Sequence, residues 1–258
     1  MGIGYRDLAT LLRDAIQCGD YTEGSTLPKQ DEIAAEHGVN INTVRQAVRL
    51  LEAEGLVTPV RRRGTVVRPR VAMKRLGIDR YAKSKWKSGL VAFAADREAT
   101  GRTWTPGDQT NEVRLTKADA ETADALGLKP GASVYERARL VKEADVPTHT
   151  LTSYYRPEDV EGTSLVDPTP GPAGRGGGFA ILAGRGLEPD VITETVRARM
   201  PTTEETQLLH LPAGEPVMVL HRTTSTHDGR PVEFARGVHA ASRFTWCTPS
   251  RSPTERPN

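Results

Sequence analysis

The sequence predicts an α+β protein in two parts: a helical N-terminal segment closed by a β-hairpin, then an antiparallel β-sheet domain with flanking helices. Two patterns predict the fold. Residues 27–68 run through a helix start, a turn glycine, a polar-faced helix and a basic hairpin, in that order. From residue 90 short alternating apolar runs replace the helical periodicity. Charge clustering supports the division. Residues 1–40 carry three basic and seven acidic side chains, residues 41–88 thirteen and three, and residues 89–258 nineteen and twenty-three. These balances of −4, +10 and −4 return the net +2, so overall charge says little while its clustering points to a polyanionic partner.

Residues 5–18 repeat apolar side chains at helical spacing (Tyr5, Leu8, Leu11, Leu12, Ala15, Ile16), and Gly19 closes that helix, with Cys18 a filler at its end. Pro28 opens a second helix, where its missing N–H costs nothing. Ile33 and Ala34, with His37 or Val39, continue its apolar face, and Gly38 suits the left-handed backbone of the turn. Asn40 caps a third helix whose buried stripe is Val44, Ala47, Val48 and Leu51. Its other face carries Asn42, Thr43, Arg45, Gln46 and Arg49, side-chain types that bond base edges and phosphates. Gly55 ends that helix. Two β-branched runs then flank Arg61-Arg62-Arg63-Gly64, a hairpin with a basic tip. The whole is a winged helix-turn-helix. Its candidate DNA contacts are Lys29, Gln30, Asn40, Asn42, Thr43, Arg45, Gln46, Arg49, the wing residues Arg61, Arg62 and Arg63, and Gly64 and Thr65 behind them.

This stretch resembles the gluconate-repressor (GntR) family of bacterial regulators. The family's usual text is LPSER, a short helix, V-S-R-x-T-V-R-x-A, a helix ending in EGL, and a wing with G-x-G-T. Leu27, Pro28, Val39, Thr43, Val44, Arg45, Ala47, Leu51, Glu54, Gly55, Leu56, Gly64 and Thr65 match it. Two positions depart: Asp31 and Ile41 stand where the family has arginines, and the first of those arginines reads a base. The resemblance implies binding to double-stranded operator DNA, with an operator unlike the family's usual one. Asp31 cannot donate to guanine, and Ile41 can only pack or touch a thymine methyl.

Residues 70–88 are basic with interleaved aromatics: Lys74, Arg75, Arg80, Lys83, Lys85 and Lys87 around Tyr81 and Trp86. They read as a linker whose aromatics dock on the next domain, with supplementary phosphate contacts as the alternative. The domains are therefore expected at 1–69, 89–248 beyond that linker, and a tail at 249–258.

In the second domain, strands are expected at Leu90–Ala95, Asn111–Leu115, Ser133–Val141, His149–Tyr155, Val191–Met200, Pro216–Thr224 and Val232–Ala240. Helices are expected at Lys117–Leu126, capped by Thr116, and at Thr202–Leu209. The phrase L-x-L-x-x-G-x-x-V follows each helix, which predicts two similar halves. Asp228-Gly229 reads as a hairpin turn. Residues 167–178, DPTPGPAGRGGG, read as a flexible lid or a disordered connection. A nucleotide-binding loop is disfavoured there because no Lys-Ser follows and no strand feeds a helix through it.

This half resembles the ligand-sensing UTRA domain of the HutC subfamily, which has the chorismate lyase fold. Arg137-Ala-Arg139, Pro147 through Ser153-Tyr154, Glu194 through Pro201 and Asp228 through Arg236 carry the resemblance. It implies an arginine of the Arg137/Arg139 motif meeting an anionic group and Glu233 helping to hold the ligand, with Ser153 and His239 at two further effector positions. Leu151 replaces a family glutamate, His239 a tyrosine and Ser242 an aspartate, and glycines replace a serine-containing loop. An amino-sugar phosphate therefore gives way to another anionic or more apolar effector, or to none. From the residues alone, Arg137 and Arg139 share a strand face and serve equally well as an anion clamp or as two internal salt bridges. Glu233 suits an arginine partner, and a lone histidine on a strand suits packing.

Cys18 and Cys247 share no motif, and His149, His210, His221 and His239 show no metal-ligand spacing, so no cofactor or metal is expected. The polar N-terminus predicts no signal peptide, and no apolar run approaches the ~20 residues of a membrane span. The expectation is a cytoplasmic, homodimeric transcriptional regulator, a repressor acting on an inverted repeat and modulated by a small-molecule effector. The alternatives are an effector-independent repressor of the plasmid-transfer type and, on fold resemblance alone, a chorismate lyase-like enzyme.

Overall fold

The computed structural model describes residues 3–68, 73–76, 78–89, 92–143 and 146–247. In chain order it begins with α1 (Tyr5–Cys18), α2 (Gln30–His37), α3 (Ile41–Ala53), β1 (Val57–Val60), β2 (Gly64–Val67), β3 (Met73–Leu76), α4 (Lys83–Ser88) and α5 (Ala92–Glu98). There follow β4 (Gln109–Lys117), α6 (Ala120–Leu126), β5 (Ser133–Glu143), β6 (Val146–Tyr155), α7 (Pro157–Val160) and α8 (Gly177–Gly184). The last elements are β7 (Val191–Arg199), α9 (Thr203–Leu208), β8 (Val217–Ser225), β9 (Pro231–Ala240) and β10 (Phe244–Cys247). Two compact units divide the chain. The first comprises Met1–Ala72, Arg199–Val217 and Ala240–Arg243, and the second Met73–Ala198, Met218–His239 and Phe244–Asn258.

In the first unit α1, α2 and α3 pack around Leu8, Leu12, Ile33, Val44, Ala47 and Leu51, with Val57 and Val67 of the hairpin closing the core. Gly38 turns α2 into α3 with φ 62°, and the Asn40 side chain accepts the Thr43 N–H at 2.9 Å. The β1–β2 ladder pairs Val57 with Val67 and Val60 with Gly64. Three details differ from the sequence reading. Lys29, not Pro28, precedes the first residue of α2, and its N–H donates to Glu32 at 2.8 Å. Leu11 lies outward while Ala9 takes the inner position on α1. Cys18 is exposed rather than a filler. The unit also holds a polar knot. Glu215 accepts from Arg68 and, at 2.6 Å, from the Ser242 hydroxyl.

The second unit is built on a sheet of order β4-β5-β6-β9-β8-β7. The order reads as two β-α-β-β halves meeting at β6 and β9, with α6 and α9 in corresponding connections, as the repeated phrase predicts. Separately, β3 pairs with β10 in parallel.

The stretch expected as a linker is folded. β3, a 3-10 turn at Ile78–Tyr81 and α4 occupy it, and Trp86 is buried, so its aromatic docking is seen while its free connector character is not. Residues 70–72 and 77 of that stretch, and the tail 249–258, lie outside the described residues. Ala92–Ala95 belong to helix α5, not a strand, while Leu90 and Val91 are outside the described residues. The segment is apolar on every side and alanine-rich, so its periodicity could not decide, and alanine favours helix. Strand β4 continues to Lys117, so Asp119 rather than Thr116 caps α6 and accepts the Thr122 N–H at 2.8 Å.

Residues 167–178 have defined places. Gly171 donates to the Gln109 carbonyl at 2.8 Å, and the Asn111 side chain donates to the Gly171 carbonyl at 2.8 Å. Gly176 donates to Gly89 at 3.0 Å, and the segment runs directly into α8. A lid or disordered connection is therefore replaced by a pinned loop feeding a helix.

Candidate nucleic-acid interface and buried cationic cavity

The first unit presents one exposed polar face. Burial of Val44, Ala47, Val48 and Leu51 on α3 turns Asn42, Arg45, Gln46 and Arg49 outward, while Thr43 is half-buried. Arg45 donates to Asn42 Oδ1 at 3.2 Å and to Gln30 Oε1 at 3.4 Å, so three predicted contacts form one group spanning α2 and α3. Ile41 is exposed at the start of α3 and Asp31 lies in the first turn of α2. At the wing tip Arg61, Arg62 and Arg63 are exposed, with Arg62 at φ 66° and Gly64 at φ 100°. Arg63 also donates to the Gly24 carbonyl at 2.5 Å, which fixes one side of the wing. Thr65 is half-buried, and its carbonyl accepts the Leu27 N–H at 2.8 Å. Gly64 and Thr65 therefore shape the wing, while Lys29, Gln46, Arg49, Arg61 and Arg62 are exposed with side chains free of hydrogen bonds among the described residues. Asn40 spends its side-chain oxygen on the cap.

The second unit holds a half-open cavity of about 100 Å³. Arg137 and Arg139 reach it from β5, Glu233 from β9 and Arg222 from β8. Arg137 is 2% exposed, and its Nη1 donates to the carbonyls of Asp167 at 2.6 Å, Leu165 at 3.1 Å and Ser164 at 3.4 Å. Arg139 donates to the Leu151 carbonyl at 3.0 Å and to the Ser153 hydroxyl. Glu233 accepts a two-pronged pair from Arg222, at 3.1 and 3.0 Å. Ser153 at 2.6 Å, Tyr155 at 3.0 Å and Thr224 at 3.1 Å donate to the same carboxylate.

Glu233 is thus a partner for Arg222, whereas Arg137 and Arg139 have no carboxylate in ion-pair range among the described residues. Burial lowers the pKa of both guanidinium groups, and for Arg137 the neighbouring Arg139 charge adds to it. Burial by itself raises the Glu233 carboxyl, but the charges of Arg222 and Arg139 and the Ser153 bond outweigh it and hold it low. Four arginines line the cavity, and with Arg80 paired to Asp96 and Arg222 to Glu233 the charges of Arg137 and Arg139 are left in excess there. α8 enters the same wall with glycines: a Cβ at Gly178 would lie 3.2 Å from the Tyr155 hydroxyl.

Of the five predicted effector residues, Arg137, Arg139 and Glu233 line the cavity. Ser153 is fully buried behind it, bridging Arg139 and Glu233. His239 lies outside the lining; it stacks on its cross-strand partner His149 at 4.7 Å and meets Trp246 edge-on at 5.0 Å. Its ring packs among His149, Phe244 and Trp246, and His149 itself lines the cavity.

Arg222, Tyr155, Tyr81 and Arg80 also line the cavity, and the sequence reading missed them. Arg222 was readable: it holds an inward position between Leu220 and Thr224 on an alternating strand, where a charge needs a buried partner. Arg80, in the basic run read as a linker, pairs with Asp96 at 3.1 Å.

An exposed helix-turn-helix face and wing, joined in sequence to a sheet domain that holds a cationic cavity, define a transcriptional regulator of the helix-turn-helix type. The description "Bacterial regulatory proteins, gntR family" matches residues 4–67, and "UTRA domain" matches residues 102–245. The chain belongs to the GntR family, in its UTRA-bearing HutC branch.

An HTH-type transcriptional regulator of Streptomyces coelicolor is 56% identical over 244 residues, 94% of this chain and 90% of its own. The HTH-type transcriptional repressor NagR of Bacillus subtilis is 27% identical over 254 residues, 94% of this chain and 92% of its own. Among solved structures, a GntR-family transcriptional regulator aligns with a TM-score of 0.62 at 28% identity, covering 96% of this chain and 98% of that one. PhnF from Mycobacterium smegmatis shares the fold, with a TM-score of 0.54 at 22% identity over 97% of this chain and all of that one. No helix among the described residues is long and apolar enough to cross a membrane.

Proposed function

We propose that this regulator is a cytoplasmic homodimeric repressor whose operator affinity is set by a small anionic effector in the UTRA cavity. The observation that carries the effector is the pair of buried Arg137 and half-buried Arg139, both lining the cavity without a carboxylate partner among the described residues. Guanidinium groups suit carboxylates and phosphates, and an anion relieves their mutual repulsion. Arg45, Asn42 and Thr43 enter the major groove, and Arg61–Arg63 reach the adjacent groove or backbone. A two-fold dimer reads an inverted repeat. The effector then couples to DNA with about 1–3 kcal/mol. The name of the NagR relative supports repression, and the relatives' names support a regulator rather than an enzyme.

One observation favours the effector-independent reading. Arg137 already donates to three carbonyls, and the cavity is small. Thermal unfolding of the purified protein with inorganic phosphate and simple carboxylates separates the two. A concentration-dependent rise lost in Arg139→Ala supports an effector, and no rise with any anion removes it. Sedimentation of the protein, alone and with operator DNA, tests the dimer.

A further inference from the structure

Ile41 has no place in the core of its own unit. It is the first residue of α3 and is 39% exposed. Among the described residues it belongs neither to the buried cluster of α1, α2 and α3 nor to the half-buried apolar side chains packed on that cluster. Two roles were open to it from the sequence, packing and contact with a thymine methyl. The structure removes the first.

Its place on α3 supports the second. Ile41, Arg45 and Arg49 follow one another at i, i+4 and i+8, and all three are exposed. Their stripe runs between the buried Val44 and Val48 and the outward Asn42 and Gln46. A recognition helix meets base edges with its N-terminal residues, and Ile41 is the most N-terminal of the stripe. The first turn of α3 is fixed, because the Asn40 side chain accepts the Thr43 N–H at 2.9 Å. One turn further on, Arg45 is held by Asn42 at 3.2 Å and Gln30 at 3.4 Å.

An isoleucine can neither donate nor accept a hydrogen bond. In the major groove the apolar group a base edge offers is the C5-methyl of thymine. A β-branched side chain on a helix keeps one χ1 rotamer, so Ile41 loses little freedom on meeting it.

We infer that Ile41 is a specificity residue whose side chain covers a thymine methyl in each operator half-site. Four residues of helix advance about 6 Å, less than two base steps of about 3.4 Å each. The thymine therefore lies within two base pairs of the base that Arg45 meets. The inference rests on α3 as the reading helix and deepens that reading.

The test begins by selecting sites for the full-length protein from a randomised duplex library. Each thymine of the recovered site is then replaced singly by deoxyuridine, which removes the methyl and nothing else. Affinity is measured by fluorescence anisotropy for wild type, Ile41→Ala and Arg45→Ala. Alanine is the better helix former at this exposed position, so Ile41→Ala keeps the fold. The expected result is one thymine per half-site whose replacement weakens wild type about two- to fivefold, the worth of one methyl group, and leaves Ile41→Ala unaffected. That thymine lies within two base pairs of the position at which Arg45→Ala loses its preference. Ile41→Ala keeps the wild-type salt slope, since a methyl contact releases no counterion. A methyl effect of the same size in wild type and Ile41→Ala, or none at any thymine, overturns the assignment of Ile41, while a preference lost in Arg45→Ala keeps α3 as the reading helix. If no site is recovered, or if Arg45→Ala and Ile41→Ala both bind it with wild-type affinity and preference, the α3 reading falls and this inference with it.

Discussion

Arg222 and Glu233 face each other across adjacent strands in a two-pronged ion pair, Nε to Oε2 at 3.1 Å and Nη2 to Oε1 at 3.0 Å, both side chains nearly without exposure. Removing one partner strands the other charge, which costs about 3–5 kcal/mol. Glu233→Ala is therefore expected to lower the urea midpoint by that much free energy. Ser153→Ala, which removes one neutral donor to the same carboxylate, is expected to cost about 1–3 kcal/mol. Equal, small losses in both would mean that the pair is not the anchor of this sheet.

The same carboxylate sets a pH dependence. Its pKa is lower folded than the ordinary 4.5 of the unfolded chain. Stability from Glu233 is accordingly full above 4.5 and lost as pH falls through the depressed folded value. The stability gap between wild type and Glu233→Gln is expected to be constant from pH 8 to about 5 and to narrow below the unfolded carboxylate value. Urea unfolding at stepped pH reads it; a gap that widens on acidification would reverse the sign.

Two glycines with similar backbone angles separate conformational strain from packing. Gly19 and Gly176 have φ of 92° and 76°, but an added Cβ meets nothing within 4 Å at Gly19 and the Trp86 carbonyl at 2.1 Å at Gly176. Gly19→Ala is expected to cost about 1 kcal/mol, the backbone penalty alone. Gly176→Ala must also push α8 from α4, and is expected to cost several times more and to alter anion binding. Thermal unfolding with and without phosphate distinguishes the two.

The winged segment is legible because each local signal agrees with the next. Gly38, the Asn40 cap, the Val44–Leu51 stripe and the Arg61–Gly64 turn each specify one step, and the structure keeps them all. The sheet strands from Asn111 onward are legible for the same reason, since alternation survives where one face is buried. What the sequence hid depends on distant partners. Ala92–Ala95 is apolar all round and has no readable period. α8 begins with glycines, poor helix formers, and exists because Gln109, Asn111 and Gly89 pin the preceding loop. The Arg137/Arg139 motif was visible as a pair, but the carbonyl partners of Arg137 lie 27 to 30 residues away.

The Asn40 cap links stability to DNA recognition. Its side chain satisfies the Thr43 N–H at the start of α3. Asn40→Ala is expected to cost about 1 kcal/mol and Asn40→Asp close to nothing. DNA affinity is expected to fall with the alanine variant, because the first turn of α3 carries Asn42 and Thr43. Urea unfolding and fluorescence anisotropy on the same preparations check both.

Arg45 and Arg62 should fail in different ways. Arg45, held by Asn42 and Gln30, is the proposed base contact, and Arg45→Ala is expected to cost about 1–3 kcal/mol and to relax sequence preference at one position per half-site. Arg62, exposed at the wing tip, is a proposed phosphate contact. Arg62→Ala is expected to weaken all sequences alike and to lower the salt slope by about one. Binding to a panel of operator variants at several salt concentrations separates them.

The most direct test of the account is footprinting of the purified protein on its own upstream DNA at two salt concentrations, with wild type and Arg45→Ala side by side. The account predicts a protected inverted repeat, weakened by salt and absent with the variant. Protection that Arg45→Ala leaves intact, or no specific DNA in this region or in a genomic pull-down, would contradict the assignment of the α3 face as the reading surface.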